Sequence, residues 1–184
     1  MNLIKHASTI YHPAPIEIVY SYGVYNDCIP QIEAMNVKTV SGLISEEDLS
    51  TYQKPLLYIC DDLIDNVSES YLDTLFIKLS HHLQMGVVFT TQSLFSKKLR
   101  VAKKNVHYYV LLRSPSDAQS IKNLGIQLFP NQSKFFWDSY KKAVAKLYSY
   151  LLVDLHPSSS SELRLRSNIF PPEITTVYQP KVTL

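Results

Sequence analysis

The chain has 184 residues, a length that most simply predicts one domain with a sizeable core. Its 46% apolar and 18% charged residues are typical of a globular protein. A formal net charge of +2 does not by itself indicate nucleic-acid binding. Two cysteines give no disulfide framework, and no apolar stretch is long enough to span a bilayer. We therefore expect an intracellular protein of the cytoplasm or nucleus with no membrane partner.

Short apolar runs alternate with helical segments, the pattern typical of a parallel sheet with crossover helices. In chain order, strands are predicted over 16–22, 37–40, 56–60, 86–92, 106–113, 148–154 and 163–169. The last of these alternates at period two, as a half-exposed edge strand does. Helices are predicted over 27–35, after the cap Ser45, over 68–79, from Pro115 and over 133–147. We predict an α/β fold with a mainly parallel, helix-flanked sheet over 1–172 and an irregular tail over 173–184.

Polar residues follow three of the predicted strands, at the edge where open parallel sheets bind ligands. They are Asp61 and Asp62 after the first strand, Thr90, Thr91 and Gln92 at the end of the second, and Arg113 and Ser114 at the end of the third. One interpretation assigns Asp61 to Mg²⁺, usually through a water, and Asp62 to the nucleophilic water. Gln92 would then sense a γ-phosphate, because its amide both donates and accepts hydrogen bonds.

The other interpretation is purely structural. Acids and glutamine often end strands at a solvated edge, and Arg113 is equally suited to a surface ion pair with Asp117. The basic stretch from Lys97 to Lys104 is likewise compatible with a DNA contact or with a solvated loop or helix face. The chain contains no G-x-x-x-x-G-K-[ST] phosphate loop, which counts against a complete nucleotide site.

Five segments of the chain occur in the order found in one family of motors. They are DDL at 61–63, SHH at 80–82, TQSLF at 91–95, YSYLLVDL at 148–155 and LRLRSNIFP at 163–171. Together they resemble the DNA-packaging ATPase of Maverick/Polinton elements and related viruses, a relative of the FtsK–HerA and poxvirus-type packaging motors. The resemblance extends from about residue 15 to residue 172 and is much more specific than any one segment.

The resemblance implies a P-loop NTPase-like fold of the additional-strand type, with ATP and Mg²⁺ as cofactors. Asp61 matches the Walker B metal ligand, Asp62 the acid where many relatives carry Glu, and Gln92 the glutamine sensor. Thr91 and Arg113 would contact the nucleotide, and Arg164 or Arg166 would reach the nucleotide of a neighbouring subunit. Double-stranded DNA, capsid proteins, a homo-oligomeric ring and association with a virion are also implied.

The chain departs from the family at its start. Residues 1–10 resemble the end of the helix that follows the phosphate loop, so the first strand and the loop are missing. In the family that strand lies between those matching 86–92 and 106–113, and its loss leaves backbone groups unpaired unless the two neighbours close on each other. We expect weak or absent ATP hydrolysis by this chain alone. The alternatives are a degenerate, non-catalytic interaction module from a mobile element, and an incomplete gene model with the loop encoded upstream.

Overall fold

The computed structural model describes residues 1–180. These form two compact units, Met1–Asn105 and a second that begins at Val106, each with a four-stranded sheet. The single ATPase-like domain over 1–172 stays a prediction. Each unit is described by itself below.

The sheet of the first unit is parallel throughout. Its strands are β1 (Glu17–Tyr22), β2 (Lys38–Ser41), β3 (Leu56–Asp61) and β4 (Met85–Phe89), in the order β2-β1-β3-β4. In register, Tyr22 lies opposite Asp61, and Cys60 lies opposite Phe89. The carboxyl ends of β1, β3 and β4 therefore meet at one edge. The apolar run of β3 is explained by burial, since its first five residues are all buried.

Helices cover both faces of this sheet. The helices α1 (Asn2–Lys5), α2 (Ala7–Ile10) and α3 (Ile29–Glu33) contribute Ile4, Ala7 and Ile32 to a core with Leu57 and Ile59 of β3. On the other face, α4 (Glu46–Thr51) is followed along the chain by α5 (Glu69–Asp73), a π-helical segment (Thr74–Leu79) and α6 (Ser80–His82). The α/β architecture with a parallel, helix-flanked sheet is thus confirmed for this unit.

Two serines begin helices of this unit, as their sequence positions indicated. The hydroxyl of Ser45 accepts the N–H of Asp48 at 3.0 Å, and that of Ser68 accepts the N–H of Tyr71 at 3.1 Å. Tyr71 also places α5, because its hydroxyl lies 3.5 Å from that of Tyr58, whose side chain points away from the Leu57 and Ile59 face. Within residues 1–180, no helix has both the length and the apolar character needed to cross a membrane.

The second unit carries an antiparallel sheet. Its strands are β5 (Tyr108–Leu112), β6 (Tyr150–Asp154), β7 (Leu165–Ser167) and β8 (Thr176–Val177), in that spatial order. The remaining helices are α7 (Ala102–Asn105), which ends the first unit, and α8 (Ala118–Leu128) and α9 (Ser133–Ala143) in the second. The strand predicted over 106–113 was expected in the parallel sheet, and that expectation is wrong, because an apolar run signals burial and not the direction of the neighbouring strand.

The segment after residue 172 also differs from expectation. β8 pairs with β7, so β7 is an interior strand of this sheet and not the edge strand predicted over 163–169. A strand of two residues is too short to show a period, which is why the sequence indicated only an irregular tail. Residues 181–184 of that tail lie outside the described residues.

Candidate functional site at the carboxyl edge of the parallel sheet

Asp61, the last residue of β3, is held by hydroxyl groups from both neighbouring strands. The Tyr20 hydroxyl, on β1, donates to Oδ2 at 2.5 Å, and the Thr90 hydroxyl, which follows β4, donates to Oδ1 at 2.5 Å. The carboxylate lies on the same sheet face as Leu57 and Ile59, because alternate residues of a strand share a face. That is the face covered by α1, α2 and α3.

Asp62 turns the chain away from the sheet at the next position. Its backbone adopts a φ of 53°, its side chain is exposed, and its N–H donates to the Thr90 hydroxyl at 3.2 Å. Gly23 makes this turn possible, since a Cβ there would lie 2.4 Å from the carbonyl oxygen of Asp62. The N–H of Gly23 also donates to the carbonyl of Asp61 at 3.0 Å. The loop after β1 therefore packs directly against the two acids.

Gln92 lies at the same edge, two residues beyond Thr90, with an exposed side chain. Between them, the Thr91 hydroxyl is engaged in a local turn, where it accepts the N–H of Ser93 at 3.1 Å. The structure thus brings Asp61, Asp62 and Gln92 to neighbouring strand ends. It directs the Thr90 hydroxyl towards the Asp61 carboxylate.

The basic stretch that follows is folded and largely engaged. The Lys98 ammonium donates to the carbonyls of Ile64 and Asp65 at 2.9 and 3.0 Å, in the loop just after the two acids. Arg100 lies 3.5 Å from the carboxylate of Glu69, and the Lys103 ammonium stands 4.3 Å from the ring centroid of Phe95. This stretch therefore ties the loop after β4 to the loop after β3.

The electrostatics of the edge favour Tyr20 as a hydrogen-bond donor. Burial raises the pKa of the Tyr20 phenol well above its ordinary value, and the hydrogen bond to Asp61 and the charge of that carboxylate raise it further. The phenol accordingly keeps its proton at neutral pH.

The donor set suits a metal that also binds phosphate. No group of three or more His, Cys, Asp or Glu side chains within residues 1–180 is arranged to enclose a metal ion. Mg²⁺, however, is usually held by one or two carboxylates, waters and substrate phosphates. Each oxygen of Asp61 accepts one hydroxyl and has a second lone pair, so this carboxylate has the capacity of such a ligand.

The three candidate arginines belong to the second unit. Arg113 follows β5 and is exposed, and the ion pairs found among residues 1–180 include none between Arg113 and Asp117. Because β5 lies in the antiparallel sheet, the expectation that Arg113 ends a strand of the parallel sheet is wrong.

Arg166 has a partner within its own unit. Its guanidinium forms an ion pair with Asp154, whose side chain is only 3% exposed. Arg164 is half-buried, and its Nε is buried without a hydrogen-bond partner among the described residues. Arg166 thus has a structural role that the sequence did not indicate.

Tyr20 is the site residue that sequence reasoning missed altogether. Tyr20 and Asp61 are far apart in the sequence, and their contact depends on the pairing of β1 with β3, in which Tyr20 lies opposite Ile59. The signal available in the sequence was the alternation of side chains along a strand, which places Tyr20 on the same sheet face as the residues two positions before and after it.

Comparisons with protein-family models, with curated proteins and with solved structures found no match for this chain.

Proposed function

We propose that this chain is the metal- and water-positioning portion of an ATP-hydrolysing motor similar to the DNA-packaging ATPases of Maverick/Polinton elements and related viruses. The observation that carries the proposal is that Asp61 and Asp62 stand at the carboxyl end of β3, and that Gln92 follows the carboxyl end of the neighbouring strand β4. Asp61 would hold Mg²⁺, which when bound offsets the charge of the β- and γ-phosphates. Asp62 would orient the attacking water, and Gln92 would hydrogen-bond both the γ-phosphate and that water.

The edge of the parallel sheet supports this proposal. In the resembled family the phosphate-loop strand pairs with the strand matching β4, and β4 is an edge strand of its sheet here. Thr90 N–H donates to the Cys60 carbonyl, so the alternate residues Met85, Val87 and Phe89 direct their backbone groups away from β3. A further strand could pair with these groups.

The position of residues 1–10 also supports the proposal. The helices α1 and α2 pack on the sheet face towards which Asp61 points. That is where a helix following a phosphate loop must lie if its N-terminus is to face the same nucleotide as Asp61. The roles of Thr91, Arg113 and Arg164, the binding of double-stranded DNA and capsid proteins, and assembly into a ring all rest on the resemblance.

A second candidate function is a degenerate, non-catalytic interaction module from a mobile element. The observation that favours it is an exposed apolar row on the edge strand β5, formed by Tyr108, Val110 and Leu112 at 52%, 49% and 61% exposure. A row of this kind on an unpaired edge is a typical site for pairing with another chain. If this candidate is correct, Asp61→Ala should leave partner or DNA binding unchanged.

Manganese provides the test, because Mn²⁺ favours the same oxygen ligands as Mg²⁺ and broadens nearby NMR signals. We expect Mn²⁺ with ATP to broaden the amide signals of Asp61, Asp62 and Thr90 in the purified chain, without measurable ATP turnover. Asp61→Asn should abolish the broadening, and Glu47→Gln, at an exposed acid on α4, should not. Equal broadening in Asp61→Asn, or none in the wild type, would refute the proposal.

A further inference from the structure

We propose that Tyr20 and Thr90 are positioning residues that fix the Asp61 carboxylate for metal–nucleotide binding. This inference rests on the proposed function and adds two residues to it. Neither residue would contact the nucleotide itself. Each would act through the orientation that its hydroxyl imposes on Asp61.

The geometry fixes the carboxylate from two sides. Tyr20 holds Oδ2 from β1, and Thr90 holds Oδ1 from the end of β4. Rotation of the carboxylate about its bond to Cβ would break both hydrogen bonds, because the donors belong to strands on opposite sides of β3. One lone pair on each oxygen remains for waters or a metal.

Thr90 also joins Asp61 to Asp62. Its hydroxyl oxygen accepts the N–H of Asp62 at 3.2 Å while its proton is donated to Asp61. A hydroxyl that accepts from one side polarises the hydrogen bond that it donates on the other. Thr90 therefore couples the position of the metal-binding acid to the backbone of the acid assigned to the water.

The chain offers matched variants for each residue. Tyr20→Phe removes only the hydroxyl that holds Oδ2, and Tyr22→Phe makes the same change two residues along β1, where the ring packs against Tyr25. Thr90→Val removes the hydroxyl at constant shape, and Thr90→Ser restores it. Substitutions of groups that orient a metal ligand typically weaken metal affinity about 10–100-fold.

The experiment titrates Mn²⁺·ATP into each purified variant and follows the broadening of the Asp62 amide signal. We expect about 10-fold weaker binding for Tyr20→Phe and for Thr90→Val, and wild-type binding for Tyr22→Phe and Thr90→Ser. Amide spectra matching the wild type away from β1, β3 and β4 would show that each variant folds. A hydroxyl proton signal that disappears in Tyr20→Phe and in Asp61→Asn tests the Tyr20–Asp61 hydrogen bond without nucleotide.

The outcomes separate the two proposals. Wild-type affinity in both Tyr20→Phe and Thr90→Val would overturn the positioning role and leave the proposed function intact. Absence of Mn²⁺·ATP binding to the wild type would overturn both, even where the hydroxyl proton is seen. Weaker binding that Thr90→Ser does not restore would also count against positioning, because a hydroxyl is then not what Thr90 supplies.

Discussion

Replacing Arg166 with methionine should destabilise the second unit, because it leaves a buried carboxylate without its counter-charge. Asp154 is only 3% exposed and accepts hydrogen bonds from Arg166, from the N–H of His156 at 2.9 Å and from the Ser159 hydroxyl at 2.9 Å. Removing one partner of a buried ion pair typically costs about 3–5 kcal/mol. Since two donors to Asp154 remain, we expect the lower end, about 3 kcal/mol.

The single tryptophan makes this measurable. Trp137 lies on α9, in the same unit as Asp154, so its fluorescence in urea reports the unfolding of that unit. With an m-value of about 1.5 kcal/mol per molar urea, the midpoint should fall by about 2 M. Arg113→Met, at an exposed arginine, should change the free energy of unfolding by less than about 0.5 kcal/mol.

A midpoint for Arg166→Met no lower than that for Arg113→Met would refute this reasoning. The guanidinium would then contribute nothing to the unit and would be free to serve a neighbouring subunit. The double variant Asp154→Asn/Arg166→Met separates the lost charge from lost packing. It should recover part of the stability, because a neutral amide needs no counter-charge.

Two further predictions concern stability. Burial raises the pKa of the Tyr71 phenol to about 12, from an ordinary value of about 10, and raises that of Tyr58 as well. These phenols ionise at lower pH in the unfolded chain than in the folded one. The stability that they contribute should therefore be complete below about pH 10 and should be lost as the pH rises towards 12. A urea midpoint, followed by circular dichroism, that stays constant over that range would contradict this. Gly125→Ala should destabilise the second unit by about 1–3 kcal/mol, because a Cβ there would lie 2.3 Å from the buried ring of Phe136. An unchanged Trp137 fluorescence midpoint would count against this clash.

The elements of the first unit follow closely from local sequence. The apolar run over 56–60 predicts β3 to within one residue, because a strand buried on both faces has no polar position until its end. Ser45 predicts the start of α4, because its hydroxyl satisfies a backbone N–H that the helix cannot. Both signals lie within a few residues of the structure that they specify.

Features that depend on pairing between distant segments were not predictable in this way. The direction of β5 is set by its partner β6, and nothing within Tyr108–Leu112 encodes it. The contacts of Tyr20 and Thr90 with Asp61 likewise depend on the register of three strands. The parallel-sheet rule placed Asp61, Asp62 and Gln92 at one edge, but it could not identify the hydroxyls that orient the carboxylate.

Most cations of the basic stretch from Lys97 to Lys104 already interact with groups of the first unit. This limits how much the stretch can add to the affinity for a polyanion such as DNA. Lys98, Arg100 and Lys103 already have partners, whereas the exposed ammonium groups of Lys97 and Lys104 have none among residues 1–180. Two phosphate contacts would release only about two counterions. The logarithm of DNA affinity due to this stretch would then fall against the logarithm of salt concentration with a slope of only about −1.8.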